Sequence, residues 1–129
     1  MGYPDTFEGF CVDSPKTWST FHKQELKPKP FEDHDVDVQI ECCGVCGSDV
    51  HTVTGGWGDF EGPLCVGHEV IGHAVNVGKE VKGIKKGDRV GVGAQVWSCL
   101  KCELCKSKNE NYCPHLVGMR YPPGSLSCL

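Results

Sequence analysis

Val36, Val38, Ile40 and Cys42 alternate with Asp35, Asp37, Gln39 and Glu41. A period of two places the first set on one face of a strand and the second on the other. Val90, Val92, Ala94 and Val96 repeat the pattern after the turn Lys86-Gly87-Asp88. Phe7 to Val12, Phe21 to Leu26 and Val70 to Val77 are weaker strand segments, with turn residues such as Pro28-Lys29-Pro30 and Gly78-Lys79-Glu80 after them. Only Cys46 to Thr52 has the character of a short helix, and there is no long amphipathic run. Short strands at intervals of roughly ten to twenty residues predict a mostly β domain, a small barrel or sandwich.

Composition narrows the class. A chain of 129 residues bounds the organisation to one domain at most, and 17 glycines favour tight turns over long helices. Acidic residues outnumber basic ones by 17 to 13, for a net charge of −4, and no basic run exceeds Lys85-Lys86. Nucleic-acid and anionic-membrane partners are not expected, because both need a basic patch. No apolar stretch approaches the roughly 20 residues of a membrane span. The opening Met1-Gly-Tyr-Pro-Asp-Thr6 lacks a secretory layout; it fits the loose myristoylation pattern at Gly2 and Thr6, with nothing polybasic after it. Ten cysteines without a signal segment or an Asn-x-Ser/Thr sequon point to a reducing compartment, the cytoplasm. Clustered cysteines there are metal ligands more often than disulfides.

Cys99-x2-Cys102-x2-Cys105-x7-Cys113 is the strongest chemical signal. Four thiolates so spaced can close tetrahedrally on Zn²⁺ at about 2.3 Å each. Lys101, Lys106 and Lys108 lie among them, where positive charge would favour thiolates. Two other readings compete: unrelated loop thiols, and an iron–sulfur cluster, whose Cys-x2-Cys-x2-Cys opening is shared but whose last spacing fits poorly. A second, spread constellation is Cys43-Gly-Val-Cys46-Gly-Ser48-Asp49-Val-His51 with Gly67-His68-Glu69. Cys43 and Cys46 alone suggest a redox pair, but the βαβ context is missing. His68 alone reads as a structural histidine. Together, a thiolate, an imidazole and a carboxylate suit a catalytic zinc with an open position, with Asp49 orienting the imidazole. Ser48 and His51, three apart on the helix, can pass a proton in sequence.

Gly67-His68-Glu69-x2-Gly72-x5-Gly78-x2-Val81 resembles the signature of the zinc-containing alcohol dehydrogenases at every fixed position. The block Gly44-Val45-Cys46-Gly47-Ser48-Asp49 and the four-cysteine lobe are similar to that family in order and spacing. Within the medium-chain superfamily the chain most resembles the fungal and plant cinnamyl-alcohol-dehydrogenase-like enzymes, which use NADP. The resemblance implies a GroES-like β-barrel with a four-cysteine structural zinc lobe. It implies Cys46 and His68 as catalytic zinc ligands and Glu69 as a carboxylate that approaches the metal during ligand exchange. Ser48 and His51 become the relay from alcohol to solvent. Cys99, Cys102, Cys105 and Cys113 become the structural site. Trp57 falls where such enzymes often line the substrate cleft, or is an exposed loop aromatic. Cys11, Cys42, Cys43, Cys65 and Cys128 match no ligand position.

The implied activity is NADP(H)-dependent interconversion of a small-molecule alcohol and aldehyde, zinc acting as Lewis acid and Ser48 with His51 taking the proton. A full family member is roughly three times longer, with two domains. The family's third catalytic ligand, a cysteine further along, is not expected here. Neither is the glycine-rich dinucleotide fingerprint, so the Rossmann domain is absent from this chain. The expected organisation is a tail over residues 1–6, a GroES-like domain over 7–118 with its zinc lobe at 97–114, and a divergent truncated tail over 119–129. Cys128 as a substitute third ligand is disfavoured by its surroundings. The 129 residues alone are expected to lack turnover, to expose the face that would meet the cofactor domain, and to lack the family's homodimer contact. The competing reading is a non-enzymatic zinc-binding fragment or regulatory partner of a full-length dehydrogenase. A four-cysteine nucleic-acid ribbon is opposed by the acidic balance.

Overall fold

The computed structural model describes residues 6–118. The expectations placed on Gly2, on residues 119–129 and on Cys128 lie outside the described residues. β1 (Phe7–Val12) and β2 (His22–Leu26) pair antiparallel, with Phe7 opposite Leu26 and Cys11 opposite His22. After β3 (Val36–Cys43) comes the helix α1 (Gly47–Val53), then the short strand β4 (Leu64–Cys65), which pairs with the other edge of β1. β5 (Val70–Val77) lies between β3 and β6 (Arg89–Val92), antiparallel to both. β7 (Gln95–Trp97) leads into the cysteine lobe, which contains the single-turn helix α2 (Glu103–Lys106). β8 (Val117–Gly118) returns from the lobe to pair with β7.

The fold is mostly strand, as the alternation predicts. Phe7 to Val12 and Val70 to Val77 form strands with the expected bounds. Val12 of β1, Val53 of α1 and Leu64 of β4 form a buried cluster, with Phe60 and Val66 packed against it. This contact fastens α1 to the first sheet. Along β5, Val70, Gly72 and Ala74 are buried, and the residues between them are only half-buried.

Three departures from the simple pattern have local causes. The run Val90–Val96 is two strands rather than one: β6 pairs with β5, the chain breaks at Gly93 and Ala94, and β7 pairs with β8. Cys42 is exposed instead of sharing a face with Val36, Val38 and Ile40, because the pairing of β3 with β5 slips between Ile40 and Cys42. An irregularity of this kind reverses the inward and outward positions beyond it. The helix begins at Gly47 rather than Cys46, whose extended backbone (φ −110°, ψ 156°) makes it the N-cap.

β3 and β5 approach closely at Gly72. A Cβ there would lie 2.1 Å from the Gln39 carbonyl oxygen and 2.8 Å from Val38 Cγ1. Backbone cannot yield cheaply, so Gly72→Ala is expected to destabilise the domain by about 1–3 kcal/mol, the usual cost of overpacking. Chemical denaturation of the metal-loaded chain measures this as a lower midpoint with unchanged slope.

Candidate metal centres

The first centre forms where two loops meet, between β3 and α1 and between β4 and β5. Cys46 caps α1 because Asp49, three residues on, accepts the Cys46 N–H through Oδ2 at 2.9 Å, while the Asp49 N–H bonds the Cys46 carbonyl at 3.0 Å. Asp49 is the buried acidic side chain of the described residues, 7% exposed. Its other oxygen, Oδ1, lies 3.0 Å from His68 Nδ1. One carboxylate therefore fixes both the helix start that presents Cys46 and the ring orientation of His68.

With Nδ1 so held, His68 turns Nε2 toward Cys46. Ser48 Oγ lies 3.2 Å from His68 Nε2 and donates to Cys46 Sγ at 3.1 Å. The ligand atoms of Cys46, His68 and Glu69 lie within 4.8 Å of one another. The Ser48 hydroxyl holds the Cys46 thiol below its ordinary pKa, with the Ser48 backbone N–H and His68 adding to this. Burial pulls the His68 imidazole down, but hydrogen bonds to Cys46 and Asp49 outweigh it and leave His68 above its usual value. With Asp49 holding Nδ1, His68 Nε2 and Cys46 Sγ face the same point. The donor set thus fits a Zn²⁺ ion.

Glycines bring the second loop close. Gly67 has φ +131°, a conformation that favours glycine. The Gly44 N–H donates to the Glu69 carbonyl at 3.1 Å, and a Cβ on Gly44 would lie 2.0 Å from Glu69 Oε2. The Glu69 carboxylate therefore rests over the bare α-carbon of Gly44. Sequence spacing gives no sign of this contact, which joins residues from different loops.

Ser48 and His51, expected to act in sequence, face different surroundings. Ser48 turns into the cluster, whereas His51 stands on the exposed flank of α1 with its ring against Trp57, centroids 4.8 Å apart. Ser48, Asp49, Thr52, Trp57, Val66, His68, Ala94 and Gly118 line a cavity of about 120 Å³ beside the cluster. It is too small to enclose a typical ligand and is partly open to solvent.

The second centre is the lobe between β7 and β8. The sulfurs of Cys99, Cys102, Cys105 and Cys113 lie within 4.8 Å of one another. Backbone amides aim at these sulfurs: Cys102 N–H at Cys99 Sγ (3.4 Å), Cys105 N–H at Cys102 Sγ (3.5 Å), and Cys99 and His115 N–H at Cys113 Sγ (3.5 and 3.4 Å). Leu100 (φ 53°) and Lys108 (φ 62°) take left-handed conformations to make this fold-back. Amides converging on the sulfurs of Cys99, Cys102 and Cys113 suit thiolates, and the four-sulfur set fits Zn²⁺. The Lys101 N–H lowers the Cys99 thiol to about 6, opposed by burial and aided by Cys102. The expected ammonium charge is not the source; Lys106 Nζ bonds Glu103 Oε1 at 3.2 Å. Burial, then the thiols of Cys102 and Cys113, push Cys105 up to about 12.

Cys11 and Cys65 sit opposite each other on β1 and β4. Burial raises both thiols, Cys65 to about 11, which suits inert core positions.

A strand-built domain with a Cys46–His68–Glu69 site and a four-cysteine lobe matches the family description "Alcohol dehydrogenase GroES-like domain" over residues 32–128. The chain belongs to this family. It is 52% identical over 118 residues to NADP-dependent alcohol dehydrogenase 6 of Saccharomyces cerevisiae, covering 91% of this chain and 33% of the yeast protein. It is 51% identical over 85 residues to cinnamyl alcohol dehydrogenase 3 of Arabidopsis thaliana, covering 66% and 23%. The solved cinnamyl alcohol dehydrogenase SbCAD4 of Sorghum bicolor superposes with a TM-score of 0.81 at 36% identity, covering 89% of this chain and 32% of that one. The chain spans about a third or less of the length of these relatives. No helix of the described residues is long and apolar enough to cross a membrane.

Removing the Asp49 carboxylate leaves the Cys46 N–H and His68 Nδ1 without their acceptor. Asp49→Ala is expected to weaken zinc binding at Cys46 and His68 by about 10–100-fold, the usual effect of losing an outer partner. Affinity at the four-cysteine lobe stays unchanged. Competition against a chromophoric chelator reads the two sites separately.

Proposed function

We propose that residues 7–118 form the zinc-holding domain of an NADP(H)-dependent oxidoreductase that interconverts alcohols and aldehydes. The observation that carries this reading is the Ser48 hydroxyl, which lies within hydrogen-bond distance of both Cys46 Sγ and His68 Nε2. Cys46 and His68, with Glu69 beside them, would hold a catalytic Zn²⁺, and Cys99, Cys102, Cys105 and Cys113 a structural one. Bound at the first site, Zn²⁺ would supply Lewis acidity that lowers the pKa of an alcohol and polarises an aldehyde.

The remaining roles fall to the chain's own groups. Asp49 keeps Nε2 of His68 directed at the cluster. Ser48, on the cavity floor, accepts the proton of an alcohol and returns it during aldehyde reduction. His51, one turn along α1 and exposed, takes that proton onward to solvent. Trp57 and Val66 give the cavity an apolar wall suited to a carbon skeleton. The four-cysteine lobe is small and polar, with Leu100, Leu104 and Tyr112 exposed, so bound metal rather than burial would hold it together. The nicotinamide assignment rests on the named yeast relative and on a structure described as CAD from Helicobacter pylori complexed with NADP(H), 34% identical with TM-score 0.80. The thiol-rich composition supports a cytoplasmic location. A purely structural zinc fragment would account for the Cys99–Cys113 lobe but not for a hydroxyl poised between a thiol and an imidazole.

Transplanting residues 6–118 into the yeast relative at its matched segment tests the reading. The chimaera is expected to reduce aldehydes with NADPH. Ser48→Ala lowers kcat by about 10²-fold or more, the scale of a lost acid–base group, and His68→Ala removes one zinc together with turnover. A chimaera that folds with both zincs and shows no turnover contradicts it, as does a Ser48→Ala chimaera of unchanged kcat.

A further inference from the structure

His51 is exposed, yet its ring has a built seat. The imidazole lies across the α-carbon of Gly56: a Cβ there would fall 2.2 Å from Cε1 and 2.4 Å from each ring nitrogen. Trp57 meets the ring in a T-shaped contact, at 4.8 Å between centroids and 74° between planes. The backbone makes this possible by turning at the end of α1. Gly55 takes φ +78° and donates to the Thr52 carbonyl at 3.1 Å, and Gly56 N–H closes onto the His51 carbonyl at 2.9 Å. Gly56 itself is outside the left-handed region, so alanine there brings no backbone strain. The conflict is with the imidazole alone.

We propose that Gly56 is a positioning residue for His51, its missing side chain leaving room for the ring and Trp57 holding the ring in that room. An exposed histidine otherwise samples several rotamers and spends part of its time turned away from the helix. Seated between Gly56 and Trp57, the ring stays beside the cavity that Trp57 also lines. Any side chain at position 56 expels the ring into solvent and leaves α1 intact, because the imidazole is free to rotate outward. The functional consequence rests on the proposed role of His51 in taking the proton onward from Ser48.

Two measurements separate the proposal from that role. In the zinc-loaded, ¹³C/¹⁵N-labelled 129-residue chain, nuclear Overhauser cross-peaks are expected from His51 Hε1 to Gly56 Hα and to the Trp57 indole. Gly56→Ala abolishes them and moves the His51 ring resonance toward that of free imidazole, while the His68 resonances and the β-sheet amides keep their positions. In the yeast chimaera, Gly56→Ala lowers kcat without changing KM, and added imidazole restores it, which a loss of fold would not allow. Absent wild-type cross-peaks, or a His51 resonance unmoved in Gly56→Ala, overturn the proposal. Cross-peaks that vanish in Gly56→Ala with kcat unchanged overturn the relay role of His51 instead.

Discussion

The Asp49 carboxylate is the constraint on which the first metal centre depends. One oxygen accepts the N–H of Cys46 and so fixes where α1 begins; the other accepts from Nδ1 of His68 on a different loop. A buried carboxylate is costly unless its oxygens are hydrogen-bonded, and here both are. The helix start and the histidine rotamer are thereby coupled. Neither can shift without leaving a buried charge short of a partner. Ser48, between Cys46 and Asp49 in the first turn of the same helix, inherits its position from this arrangement. The hydrophobic anchor of α1 lies at the opposite end, where Val53 packs on Val12 and Leu64. The helix is thus pinned by apolar contact at one end and by a charge-assisted network at the other.

The two candidate centres present different donor sets. In the Cys99–Cys113 lobe, the backbone bends to bring amides onto three of the four sulfurs, two non-glycine residues adopting positive φ to do so. The result is a closed donor set, all sulfur, with little apolar support around it. The Cys46–His68 centre instead has mixed donors, a hydroxyl within reach and a cavity beside it. Closed sulfur sites suit structure, and mixed sites with an open side suit chemistry. Lowered Cys46 and Cys99 thiols have different origins: a side-chain hydroxyl in the first case and a main-chain amide in the second.

Much of this was legible in the sequence, for identifiable reasons. Period-two alternation found the strands β3, β5 and β6 because in each one face is more buried than the other. Short Cys-x2-Cys spacing pointed to the four-sulfur group, whereas residue type joined Cys46, His68 and Glu69 across a long separation; the fold brings the ligand atoms of each set within 4.8 Å of one another. The reading of Asp49 as the carboxylate that orients His68 agrees with its 3.0 Å contact to Nδ1. Three things were not legible. The slip after Ile40 exposes Cys42 through strand pairing, which lies outside any single segment. The seat of Glu69 on Gly44 and of His51 on Gly56 depends on close approach across loops, and an isolated glycine in sequence reads only as a turn. The amides that stabilise Cys99 are backbone groups, invisible to composition, so nearby lysines drew attention that the fold assigns to Lys101 N–H.

The central claim is that residues 6–118 prebuild two distinct metal sites, one of four thiolates and one centred on Cys46 and His68. ¹¹³Cd NMR of the cadmium-loaded 129-residue chain tests it most directly. The account predicts two resonances: one at the far-downfield position of an all-thiolate site, and one further upfield that disappears in His68→Ala while the first remains. A lone all-thiolate resonance, or an upfield signal indifferent to His68, would contradict it.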